Sequence, residues 1–133
     1  MKPIIICVDD EEIILKSLKS EIREKFGSNY CVELATNGKE ALELLQELIE
    51  DEEEVAMIIS DYIMPEMKGD ELLLNVHKQL PRTKKIMLSG QANPERVDLV
   101  KKEGGLHCFV NKPWNPDNFM NTLQDALNGY QVN

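Results

Sequence analysis

Along this chain, short apolar runs alternate with longer segments whose apolar positions recur at helical spacing. The short runs are IIICV (4–8), YCVELA (30–35), VAMIIS (55–60), KIMLS (85–89) and HCFV (107–110). Those at 4–8 and 55–60 are almost wholly apolar, the pattern of a strand covered on both faces. YCVELA alternates and carries Glu33, which places it at a sheet edge. The longer segments predict helices. Residues 11–26 gather Ile14, Leu15, Leu18 and Ile22 on one face, and residues 38–50 gather Ala41, Leu42, Leu45, Leu48 and Ile49. A shorter helix is expected over 70–79. Asn93-Pro94 and Asn115-Pro116 each set a capping side chain before a first-turn proline, so two more helices begin there. The last carries Phe119, Leu123, Ala126 and Leu127 at helical spacing and stops near Gly129.

This strand–helix alternation, repeated along the chain, predicts an α/β fold with a parallel sheet and helices on both faces. Right-handed crossovers bring every strand's carboxyl end to one edge, and ligands of such sheets bind outside that edge. The residues that follow the strands are therefore the candidate chemistry. Asp9 and Asp10 follow the first strand and Asp61 the third. The fourth ends on Ser89 and Gly90, and the fifth runs into Lys112-Pro113.

Clustered carboxylates repel one another by about 4 kcal/mol per pair at about 4 Å and an effective dielectric near 20. Protonating one of them or binding a cation relieves this. An all-oxygen donor set suits magnesium, or manganese in its place. A carboxylate is also a competent nucleophile towards phosphorus. The phosphoryl oxygens then need positive charge, which the metal and Lys112 can supply, and Ser89 can hydrogen-bond another. Asp61, between metal and lysine, is the natural acceptor.

Taken in order, VDDE (8–11), SDYIMPEMKGDELL (60–73), MLSG (87–90) and FVNKPW (109–114) resemble the receiver domain of bacterial two-component response regulators. The resemblance covers roughly residues 3 to 128 of a single expected domain, 1–133. It implies a flavodoxin-like three-layer fold with a five-stranded parallel sheet in the order 2-1-3-4-5. By position it implies Asp61 as phosphoacceptor, Asp10 as direct metal ligand and Asp9 as the acid holding metal-bound water. The backbone carbonyl of Ile63 is the remaining protein ligand. Lys112 is the phosphate-binding lysine, and Pro113 a cis proline that would aim it back at the site. Ser89 is the switch hydroxyl and Phe109 the aromatic that follows it. Glu11 and Glu12 match no site position and open the first helix, where acids suit the dipole.

The implied function is a phosphorylation switch that catalyses its own phosphorylation and dephosphorylation. A sensor histidine kinase or phosphotransfer protein would donate, and the face of the fourth helix, fifth strand and fifth helix would signal to an output domain, an effector or a second copy. Three features depart from the family's usual pattern. Gly90 stands where alanine is commoner, Phe109 where tyrosine is commoner, and the acidic run 50–54 lengthens the span between Asp10 and Asp61. Glycine at 90 allows close approach to the phosphoryl group. A dehalogenase-like hydrolase would need a second acid two residues after its nucleophile, where Ile63 stands. A nucleotide or flavin binder would need a glycine-rich loop where VDDEE stands. An interaction module that kept only the fold is the remaining rival.

Bulk properties narrow this further. The net charge of −9 argues against direct binding to nucleic acid or anionic lipid, since the only paired cations are Lys84-Lys85 and Lys101-Lys102. No run approaches the roughly 18 apolar residues of a membrane span. The first residues lack the features of a secretion signal, so a cytoplasmic location is expected. Cys7, Cys31 and Cys108 lack metal-ligand pairing and read as free, buried thiols. His77 and His107 have no ligand partner in sequence. Trp114 and Tyr130 read equally well as packing or as partner surface. A 133-residue chain leaves no room for an output domain, so the expectation is a stand-alone receiver or a piece of a longer protein.

Overall fold

The computed structural model describes residues 2–91 and 93–131. Five strands and five helices alternate along it: β1 (Ile4–Val8), α1 (Glu12–Phe26), β2 (Cys31–Ala35), α2 (Gly38–Glu50), β3 (Val55–Asp61), α3 (Gly69–Gln79), β4 (Lys84–Ser89), α4 (Pro94–Glu103), β5 (Leu106–Asn111) and α5 (Pro116–Asn128). All strand pairs are parallel, in the order β2-β1-β3-β4-β5. The expected architecture and strand order are both found.

Side-chain alternation along the strands divides the core in two. Ile4, Ile6, Val8 and Ile58 face one side, where they meet Leu45 of α2, Leu72, Leu73 and Val76 of α3 and Val100 of α4. Ile5, Cys7, Met57 and Ile59 face the other, against Leu15, Leu18 and Ile22 of α1 and Phe119 and Leu123 of α5. Burial on both faces is why these strands read as unbroken apolar runs. The edge strand β2 alternates, with Cys31 and Glu33 exposed and Ala35 buried.

Caps set the helix starts. Asn37 accepts from the Glu40 amide at 2.8 Å, Asn93 from Glu95 at 2.9 Å, and Asn115 from Asn118 at 3.0 Å. Each satisfies an amide that has no partner inside its helix.

The structure corrects two expectations and adds a feature the sequence did not show. A 3-10 turn, Gly27–Asn29, precedes β2, which begins at Cys31 and leaves Tyr30 outside. Cys31 is exposed, because it opens an edge strand; Cys7 is buried and Cys108 partly so. Lys85, adjacent to Lys84 in sequence, is fully buried. Its ammonium donates to the carbonyls of Thr83 (2.7 Å), Leu80 (3.3 Å) and Pro81 (3.4 Å), so it closes the turn that follows α3. Burial, with Lys84 adding repulsion, pulls its pKa down to about 8.

Candidate functional site

The order of strands reverses direction between β1 and β3, and the acids sit there. Asp9 follows β1, and its amide donates to Ala35 at 3.2 Å. Its side chain is fully buried: Oδ1 accepts from the Glu11 amide at 2.9 Å and Oδ2 from Lys112 Nζ at 2.7 Å. Asp9 therefore caps the turn into α1, a role the sequence reading had not given it. Asp10 beside it is exposed. Asp61 ends β3 and is 6 % exposed. One carboxylate oxygen from each of Asp9, Asp10 and Asp61 lies within 4.8 Å of the others. That all-oxygen set, with one exposed member, fits a hard divalent cation that keeps part of its water.

Asp61 is placed by its backbone. The Ser60 hydroxyl donates to the Asp61 carbonyl at 2.9 Å, and the Tyr62 amide donates to Leu88 at 2.9 Å. The Gly69 amide donates to the Tyr62 carbonyl at 2.8 Å. A Cβ on Gly69 would lie 2.1 Å from the Asp61 carbonyl oxygen, so only glycine lets α3 start this close to the acid. Ile63, two residues on, is half exposed.

Lys112 lies across the mouth from β5. Its Nζ is 2.7 Å from Asp9 and 3.3 Å from Asp61. The peptide between Lys112 and Pro113 is cis. The Lys112 amide donates to Ser89 at 3.1 Å, which ties this turn to the end of β4. Burial pulls the ammonium down, but its bond to Asp9 and the charges of Asp61 and Asp9 outweigh that, and its pKa is raised. The Asp61 carboxyl is pushed up to about 6. Burial is the main cause; Asp9 adds repulsion, Lys112 offsets part of it, and Asp10 contributes least. The crowding foreseen from sequence thus raises the proton affinity of Asp61, and Lys112 offsets part of it.

Ser89 is buried, yet its hydroxyl donates to the Gln91 carbonyl at 2.8 Å and accepts from the Gln91 amide at 3.0 Å. It is closed on its own loop. Gly90 is exposed, and among the described residues only the Lys112 carbonyl, 3.9 Å away, comes near the position of a Cβ. Phe109 is half-buried and lines a cleft of about 520 Å³ with Pro94, Val97, Lys101 and His107. The structure therefore brings Asp9, Asp10, Asp61 and Lys112 together, sets Ser89 and Gly90 at the adjoining strand end, and leaves Phe109 further along β5. Trp114 packs on Phe119 at 5.3 Å and donates to Glu21 at 2.9 Å, linking the turn after Lys112 to α1.

An acidic pocket at the switch point of a 2-1-3-4-5 parallel sheet, with a lysine after the last strand, defines a receiver. The family model for the response regulator receiver domain matches residues 5–124, and the chain belongs to that family. Among curated relatives, the rice two-component response regulator ORR11 is 36% identical over 128 residues, covering 94% of this chain and 81% of that protein. The hydrogenase transcriptional regulatory protein HoxA of Bradyrhizobium diazoefficiens is 30% identical over 96% of this chain. The chain spans only 24% of that relative's length. Among solved structures, a CheY-like receiver domain protein from Methanospirillum hungatei superposes with a TM-score of 0.82 at 31% identity, covering 96% of this chain and 95% of that one. The receiver of an HD domain-containing protein from Pseudomonas fluorescens gives 0.82 at 30% identity, covering 96% and 88%. Proteins of this family are signalling switches. Among the described residues, no helix is long and apolar enough to cross a membrane.

Proposed function

We propose that Asp61 is the phosphoacceptor of this receiver. The observation that carries the reading is the convergence of Asp9, Asp10, Asp61 and Lys112 within salt-bridge and metal-ligand distance at one strand edge. An Asp61 carboxylate oxygen attacks the phosphorus of a phosphohistidine. The bond to phosphorus forms as the P–N bond breaks, and the electron pair leaves on the imidazole nitrogen. Asp10, Asp61, the Ile63 carbonyl and water held by Asp9 would hold magnesium or manganese, which would supply positive charge to the acids and the phosphoryl oxygens.

Lys112 supplies charge from the other side by exchanging Asp9 for a phosphoryl oxygen. Ser89 takes another oxygen by giving up Gln91. Its movement withdraws Gln91 and the loop that leads into α4, and Phe109 turns into the space opened. The changed face of α4, β5 and α5 is then read by an output domain or effector. The donor is a sensor histidine kinase or a phosphotransfer protein.

A hydrolase reading fails for want of a general acid at Ile63. The test is to incubate the protein with magnesium and a small phosphoramidate and to weigh it. One added phosphoryl group is expected on the wild type and none on Asp61→Asn. Equal addition to both proteins overturns the assignment.

A further inference from the structure

An ion pair outside the acidic pocket joins α3 to α4. Arg96 Nε donates to Asp70 Oδ2, with the Asp70 side chain 5% exposed and that of Arg96 43%. Both residues stand in the first turns of their helices. An acid there is favoured by the helix dipole, but a cation is disfavoured, so α4 has no local reason to carry Arg96 at its start. The reason is Asp70, 26 residues earlier in the chain.

The two ends of this pair are anchored differently. Asp70 follows Gly69, which is packed on the Asp61 carbonyl more tightly than any Cβ would allow. The start of α3 is therefore fixed to the acceptor strand. Arg96 follows the Asn93 cap, whose side chain also accepts from the Arg96 amide at 3.4 Å. In sequence that cap lies four positions after Ser89, whose hydroxyl is bonded to Gln91. Any inward movement of Ser89 pulls on the start of α4, and the start of α4 is pinned to α3.

We propose that Asp70 and Arg96 form a positioning pair that holds the start of α4, and through it Ser89, in its resting place, so that breaking it lowers the cost of closing Ser89 on a phosphoryl group. The proposal rests on the assignment of Asp61 and Ser89 given above. Neither residue touches the phosphoryl group; the pair acts through the placement of Ser89. Closure that draws the start of α4 away from α3 would strain the pair in that state alone, so its removal would favour closure.

The test is a titration of magnesium-loaded protein with beryllofluoride, a phosphoryl mimic, followed by the backbone amide resonances of Gly90 and Gln91. Asp70→Asn leaves Arg96 half in water and keeps the shape of the site. It is expected to bind beryllofluoride about threefold to fivefold more tightly than wild type, the worth of a half-exposed ion pair present in one state only. Adding Arg96→Gln to it should change nothing further, and Arg96→Lys, which keeps a cation opposite Asp70, should stay near wild type. A merely structural role would leave the affinity unchanged or weaken it, and either result in a folded Asp70→Asn overturns the proposal. A wild type that binds no beryllofluoride overturns the functional assignment itself, and the pair's role with it.

Discussion

Replacing Asp61 by asparagine is expected to make the fold more stable while removing the proposed acceptor oxygen. Burial and the nearby Asp9 hold the Asp61 carboxyl at about 6 instead of 3.8, despite Lys112. Each tenfold change in proton affinity is worth about 1.4 kcal/mol, so at neutral pH ionised Asp61 costs the metal-free fold about 3 kcal/mol relative to the neutral acid. Asparagine has the neutral acid's shape. Asp61→Asn should therefore raise the unfolding free energy by about 2–3 kcal/mol in the presence of a chelator. The folded value lies above the unfolded one, so the native state binds the extra proton. The stabilisation from that proton is complete below 3.8 and lost as pH rises through about 6. The advantage of asparagine should accordingly shrink towards zero as the pH falls to 3.8.

Urea unfolding followed by fluorescence measures this directly, because Trp114 is the only tryptophan and packs on Phe119 in the native state. Magnesium should stabilise the wild type, by binding the native state alone, and stabilise Asp61→Asn less. An asparagine variant no more stable than wild type at neutral pH, or an advantage that persists on acidification, would refute the electrostatic account.

Gly69→Ala should lower stability by about 2 kcal/mol or more and also slow phosphorylation, because the new Cβ would fall 2.1 Å from the Asp61 carbonyl oxygen and must displace backbone; thermal unfolding and the phosphoramidate assay read the two effects. Gly90→Ala should do the opposite, adding about 0.4–1 kcal/mol by restricting the unfolded chain while phosphorylation continues, since its nearest neighbour would be 3.9 Å away. Lys85 has a folded value near 8 against 10.5, so the unfolded state holds more protons between those values and this group favours the fold increasingly as pH rises. In urea unfolding across that range, wild type should gain up to about 3 kcal/mol relative to Lys85→Met; a constant difference would show that the buried amine does not titrate there.

The fold was legible because two signals agreed at almost every element. Central strands such as β3 are apolar from 55 to 59, since helices cover both faces, and the Asn-Pro pairs at 93–94 and 115–116 mark helix starts by a mechanism that is wholly local. The acids were legible for a related reason: strand ends are fixed by the pattern, and parallel topology sends those ends to one edge. What escaped depended on long-range partners. Lys85 looks like a surface residue beside Lys84, and only the folded turn shows the three carbonyls that receive its ammonium. Cys31 looks like a buried thiol until the strand's edge position exposes it. The Asp70–Arg96 pair has no sequence signature except a cation at the wrong end of a helix.

The groups assigned to bind a phosphoryl group are already satisfied without one, and this bears on how the switch is thrown. Lys112 holds Asp9 at 2.7 Å and Asp61 at 3.3 Å, and the Ser89 hydroxyl is bonded twice to Gln91. Each must give up a partner before it can serve. Lys112 has little distance to cover, because it already bridges the two acids, and a cation among the carboxylates weakens its hold on Asp9. Ser89 has no such help: on the proposal above, its exchange would work against the Asp70–Arg96 tie. Charge neutralisation and conformational change therefore fall on different residues. The first lies within the acidic pocket, and the second is resisted outside it. On these assignments a receiver would bind metal without switching, and would close only when a phosphoryl oxygen offers Ser89 a better partner than Gln91.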